Sequence, residues 1–196
     1  MAEPKQPKIG ILGGTFNPIH YGHLIAAECA LVEYRLQGVI FVPSFNPPHK
    51  EEEVLNARHR YLMTILATSN HARFTVSDIE IKMGGKSYTK NTLEEFKKIY
   101  GDMIRLCLII GTDVIPEIDT WKDIETLPSL CEFIVVSRPG YPFSFNEILK
   151  DAYKLKIPGV DISSSDIRER VKKGKSIKYL IPEEVRDYIY KYRLYR

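Results

Sequence analysis

No stretch of the 196 residues approaches the run of about eighteen apolar residues that a membrane-crossing helix needs. The opening Met-Ala-Glu-Pro-Lys-Gln-Pro has no apolar core, so no secretory leader is expected. There are only three cysteines, an odd count without a CxxC pair, which excludes a disulfide framework. Cys29, Cys107 and Cys131 each lie in an apolar stretch, so they are expected as buried free thiols in a reducing, cytoplasmic setting. A Walker A loop, GxxxxGK(S/T), is missing, and so is the dinucleotide fingerprint GxGxxG. HxxxH zinc spacing is also lacking, and no cluster of carboxylates offers a protein-built metal site, so no resident metal is expected. Internal repeats and low-complexity tracts are absent. With 44% apolar and 27% charged residues, the composition excludes a disordered chain.

The net charge is small, at +3, but unevenly placed: Asp166 to Arg196 holds ten Lys/Arg against five Asp/Glu. A basic end of this kind suits nucleic acid, an anionic small ligand, or simply two solvated amphipathic helices. Steep loss of DNA or RNA binding with salt would mark the first of these.

Apolar runs alternate with helix-period segments. Lys8–Leu12, Val39–Val42, Ile104–Ile110 and Phe133–Val136 read as strands, and the alternating Phe74–Lys82 as a further one. Helices are expected over Tyr21–Tyr34, Ala57–Thr68, Thr89–Tyr100, Ser163–Lys173 and Glu183–Tyr192, with Asn91 or Thr92 capping the third. Continuous apolar strands separated by helices predict an α/β fold, a Rossmann-like doubly wound parallel sheet with C-terminal helices. No composition shift marks a linker, so residues 1–196 are expected to form a single domain.

The chemistry concentrates where the first strand meets the first helix, in Gly13-Gly14-Thr15-Phe16-Asn17-Pro18-Ile19-His20-Tyr21-Gly22-His23. Two glycines allow close backbone approach to a bulky ligand, and a helix N-terminus suits phosphate. His20 and His23, three apart, fall on one side of that helix, with Gly22 leaving the face open. Two imidazoles can then donate to phosphate oxygens as charge builds. The stretch resembles the nucleotidyltransferase superfamily, whose His-x-Gly-His is shared with class I aminoacyl-tRNA synthetases.

A second segment, Ile162-Ser163-Ser164-Ser165-Asp166-Ile167-Arg168, follows about 140 residues later. Serine and aspartate there are ordinary helix-start residues. Arg168 adds a fork able to grip phosphates at the same helix end. The segment resembles the superfamily's second motif, ISST or ISSS followed by an arginine two positions after the next residue. The resemblance implies that Gly13, Gly14, Thr15, Phe16, Gly22, Ile162, Ser163 and Ser164 bind ATP, with His20, His23 and Arg168 catalytic and Mg²⁺ carried in with ATP.

Further stretches concern the acceptor. Asn46-Pro47-Pro48-His49-Lys50 is a stiff loop whose last two residues suit an acceptor phosphate. Ser87-Tyr88-Thr89 opens a helix whose backbone can receive a carboxylate. Asp113 ends a strand at the same sheet edge as the first loop and suits ribose hydroxyls. Trp121, the one tryptophan, is either core or a stacking platform for a flat ring. With Arg138-Pro139-Gly140 and Tyr179–Pro182, these stretches resemble the bacterial nicotinate-nucleotide adenylyltransferases over nearly the whole chain. Asn17 stands where many members have Asp, Thr112 where many have Ala, and Ser165 where Thr is usual.

That resemblance implies transfer of AMP from ATP to nicotinic acid mononucleotide, giving deamido-NAD and pyrophosphate. Acceptor contacts would come from Asn46, His49, Lys50, Tyr88, Thr89, Asp113, Trp121 and Arg138. Whether Lys50 and Arg138 meet acceptor or ATP stays open. Nicotinamide mononucleotide is the near rival as acceptor, and phosphopantetheine adenylyl transfer the more distant one. No nucleic acid or membrane partner is expected, and the sequence leaves a homo-oligomer open.

Overall fold

The structure is a computed structural model and describes residues 6–47 and 54–196. His49 and Lys50 lie outside the described residues. A six-stranded, all-parallel sheet is formed by β1 (Lys8–Gly14), β2 (Gly38–Pro43), β3 (Phe74–Val76), β4 (Arg105–Gly111), β5 (Glu132–Val136) and β6 (Tyr153–Leu155). Their spatial order is β3-β2-β1-β4-β5-β6. The direction of winding reverses between β1 and β4, which pair with Ile11 opposite Leu108. At such a switch point the loops leaving neighbouring strands diverge and open a crevice.

Period-2 alternation divides the apolar residues of these strands between two cores. Leu12, Phe41, Cys107, Ile109, Ile134 and Val136 face one side. Ile11, Ile40, Val42, Leu106, Leu108, Ile110, Phe133 and Val135 face the other. Helices α1 (Tyr21–Glu33), α2 (Ala57–Thr68), α6 (Ser164–Lys172) and α7 (Glu183–Lys191) cover the first face. The second face is covered by α4 (Thr89–Tyr100), α5 (Leu127–Leu130) and a run of 3₁₀ helix over Thr112–Thr120. Double coverage explains why the central strands are apolar at every position rather than at alternate ones.

The strands and the helices read from the sequence begin and end within about two residues of their expected places, with one exception. Phe74–Lys82 is not a single strand. After Val76 the chain turns at Ser77, whose Oγ accepts from the Ile79 amide at 3.3 Å, and Ile79–Met83 forms the short helix α3. The alternation there comes from a three-residue strand followed by one helical turn. Helix α4 is capped by neither Asn91 nor Thr92: Tyr88 is its N-cap residue and Thr92 lies inside it. Cys107 and Cys131 are buried free thiols as expected, but Cys29 is only half-buried, packed at the margin of the first core. Among the described residues no helix is long and apolar enough to cross a membrane.

Candidate active site

Beyond the carboxyl ends of β1 and β4 lies a cleft of about 440 Å³. Its walls include Gly13, Gly14, Thr15, His20, Gly22 and His23 on one side and Tyr88, Thr89, Asp113, Trp121 and Arg138 on the other. Two separately read groups of candidate residues, from distant parts of the chain, thus share one cavity.

The His pair is built by the start of α1. His20 is its N-cap residue in extended conformation, and one turn later His23 Nδ1 accepts from the His20 backbone amide at 3.2 Å. The neutral His23 ring therefore carries its proton on Nε2. The two imidazoles stack with centroids 3.7 Å apart and planes at 27°. Gly22 permits this, because a Cβ there would come within 3.0 Å of the His20 ring. His20 is only 2% exposed. Burial, reinforced by the positive Arg138, pushes its pKa down to about 3, so the ring is neutral at ordinary pH. Its Nδ1 is buried without a hydrogen-bond partner among the described residues. A buried unpaired polar atom of this kind is costly unless a ligand meets it.

The second motif clamps the first loop, and its Ile162 carbonyl stands beside the cleft, accepting from Arg138. Ser163 caps α6 through Oγ, which accepts from the Asp166 amide at 3.1 Å, so the ordinary capping role holds for this serine. Ser164 Oγ donates to the Pro18 carbonyl at 2.8 Å, and Arg168 Nη1 donates to the Asn17 carbonyl at 3.1 Å. Tyr195 adds a hydroxyl bond to Asn17 Oδ1 at 2.8 Å. Phe16 is buried in the first core, edge-on to the His23 ring at 5.0 Å, and supports that ring from behind. Asn46 sits at the edge of the cleft, its carbonyl accepting at 2.9 Å from the amide of Ser87, which lines the cavity.

Arg138 joins the two halves. Its guanidinium donates to Asp113 Oδ2 at 3.0 Å and to the Ile162 carbonyl at 3.1 Å. Its amide donates to Thr112 Oγ1 at 2.8 Å, which gives the threonine at this position a structural use. Gly111 makes room: a Cβ there would collide with Asp113 Oδ1.

Sequence reasoning missed two residues. Arg60 is 1% exposed and donates to three carbonyls, those of Leu55 at 2.7 Å, Thr15 at 2.6 Å and Phe45 at 3.1 Å. Burial brings its pKa down to about 10, which leaves it charged. It fixes the first loop against the loop after β2. Glu80 lines the cleft at 7% exposure and accepts from Thr92 Oγ1 at 2.6 Å; burial raises its pKa. Arg60 carried a signal, a charge placed on the inner face of a helix period, whereas Glu80 falls in the stretch that reads as strand.

The cytidylyltransferase-like family model matches residues 11–170. The chain is 49% identical to a probable nicotinate-nucleotide adenylyltransferase of Thermoanaerobacter sp., over 98% of this chain and 96% of the relative. It is 48% identical to a protein of the same description from Moorella thermoacetica, over 96% and 92%. Among solved structures, it resembles a Plasmodium falciparum nicotinic acid mononucleotide adenylyltransferase complexed with NaAD. That match has a TM-score of 0.80 and 25% identity over 96% of this chain and 97% of that one. The same Plasmodium enzyme complexed with APC matches with a TM-score of 0.78 and equal coverage.

Proposed function

The chain belongs to the nicotinate-nucleotide adenylyltransferases, within the cytidylyltransferase-like family, and we infer that it transfers AMP from ATP to nicotinic acid mononucleotide, yielding deamido-NAD and pyrophosphate. The observation that carries the reading is the stacked pair His20 and His23 at the start of α1, facing a cleft at the sheet's switch point.

An oxygen of the acceptor's 5′-phosphate attacks the α-phosphorus of ATP in line. The new P–O bond forms as the bond to the outer diphosphate breaks, and pyrophosphate departs with the electron pair. The attacking phosphate is already largely ionised near neutral pH, so neither a covalent nucleophile nor a general base is required. Catalysis is positioning plus stabilisation of negative charge. The backbone of Gly13, Gly14 and Thr15 takes the ATP phosphates, helped by the N-terminal end of α1. His23 donates from Nε2. His20 acts as a neutral donor, and Arg168 supplies charge from the loop it already holds. A Mg²⁺ ion carried in with ATP would share the phosphates' negative charge and would keep several of its waters. Among the described residues no three His, Cys, Asp or Glu converge as a cage for it.

On the other side of the cleft, Trp121 and Tyr88 hold the pyridine ring, Thr89 offers its backbone amide to the carboxylate, and Asp113 takes the ribose. We read the enzyme as one cytoplasmic domain, a setting that suits its free cysteines.

Pyrophosphate release from Mg-ATP is the test, with nicotinic acid mononucleotide, nicotinamide mononucleotide and phosphopantetheine offered separately. The acid acceptor is expected to be used best. His23→Ala should lower kcat with it by on the order of 10²–10³. Turnover only with phosphopantetheine, or unchanged kcat in the variant, would overturn the acceptor or the role of His23 respectively.

A further inference from the structure

The acceptor end of the cleft carries a cation that the sequence motifs did not single out. Lys122, next to Trp121, lines the cavity together with Tyr88 and Thr89. Its Nζ lies 4.7 Å from the centroid of the Tyr88 ring. Among the described residues no carboxylate pairs with it. The neighbouring Asp123 is engaged elsewhere, accepting from Lys90 Nζ at 3.0 Å. That contact ties the loop bearing Trp121 and Lys122 to the first turn of α4. Asp123 itself sits in the left-handed region at φ 54°, where the chain turns sharply after Lys122.

We propose that Lys122 selects the acid form of the acceptor over the amide. The inference rests on the acceptor reading above and concerns the same site. A flat ring held by Tyr88 and Trp121 brings its substituent to the edge where the Lys122 ammonium stands. An ammonium resting on an aromatic face is attracted only weakly at an exposed position. A carboxylate arriving there exchanges that contact for a charge-assisted hydrogen bond, whereas a carboxamide brings no charge. The Thr89 amide at the start of α4 can donate to an oxygen of either group; the lysine distinguishes them. Glu117 lines the same cavity and adds a repulsive charge that the lysine must outweigh for an anionic substituent to be welcome. The anchored loop matters because a cation on a wandering loop would discriminate little.

Steady-state kinetics of the wild type, Lys122→Met and Lys122→Arg with both mononucleotides test the proposal. Lys122→Met should lower kcat/KM for nicotinic acid mononucleotide about fivefold, mainly through KM, a size typical of a partly solvated ion pair. For nicotinamide mononucleotide the change should stay within about twofold, and the KM for ATP should hold. Lys122→Arg should keep the acid preference, and raised salt should narrow it in the wild type but not in Lys122→Met. An unchanged acid-to-amide ratio in Lys122→Met, or equal losses with both acceptors, would overturn the role of Lys122 while leaving the reaction intact. A wild type that uses neither mononucleotide would instead sink the acceptor reading itself.

Discussion

His20 shows how much a single ring's surroundings decide. In an unfolded chain its pKa would be near 6.5, and in the fold it is about 3. As the pH drops through 6.5 the unfolded chain gains a proton here that the folded one refuses. The stability due to this neutral ring is complete above about 6.5 and drains away as the pH falls toward 3. Between pH 7 and 5 the loss is about 2 kcal/mol. Urea midpoints at those two pH values should fall accordingly in the wild type, and His20→Asn should show a flatter slope. Comparing the two proteins isolates this ring from Glu80, whose raised pKa acts in the opposite sense. Identical slopes would mean that the ring is not shielded as described. The sequence announced His20 and His23 through their spacing, but not that one of them is sealed away from solvent. That follows from the tertiary packing around the ring, and the charge of Arg138, 118 positions along, adds to the lowering of its pKa.

At the scale of elements, the loops around the cleft are held from beneath by α2. Arg60 points its guanidinium inward and joins the carbonyls of Thr15, Leu55 and Phe45. Arg60→Met keeps the length and removes every donor, leaving three inward carbonyls short of a partner. A loss of about 3 kcal/mol is expected, seen by calorimetry as a fall in Tm of roughly 10 °C for a chain of this size. Lys in its place, a point donor rather than a fork, should restore little. Arg60 was hidden because a lone arginine in a helix normally faces water. Its alignment with Ala57, Met63, Thr64 and Ala67 on the buried face was the readable clue. The central strands were plain because both of their faces are covered, and an unbroken apolar run has few other uses. Strand β6 was not recognised, as Tyr153–Leu155 is three residues long and only Leu155 is buried. Helix α3 was mistaken for strand because five residues give less than two helical turns of period.

For the whole molecule, the governing fact is the reversal of winding between β1 and β4. It sets the His pair across the cleft from Asp113 and Trp121, so that two substrates can meet inside one cavity. A non-hydrolysable ATP analogue, at about a hundred times its Kd, should therefore raise stability by about 2.7 kcal/mol and Tm by roughly 5–10 °C. Thermal unfolding with and without the analogue measures this, and an absent shift would mean that the cleft does not take ATP. The fold class and the first loop were legible because each is a local pattern. The joining contacts were not, since Arg138 with Ile162 and Arg168 with Asn17 connect positions no local period relates.

Those joining contacts have a consequence in time. Asn17 and Pro18 leave the ribosome early, yet their partners Ser164, Arg168 and Tyr195 lie 146, 151 and 178 positions behind them. At ordinary rates of synthesis the later of these trail by about ten to thirty-five seconds. The loop made first is thus completed by helices made last, and a nascent chain halted before α6 would carry the motif without the clamp that gives it shape.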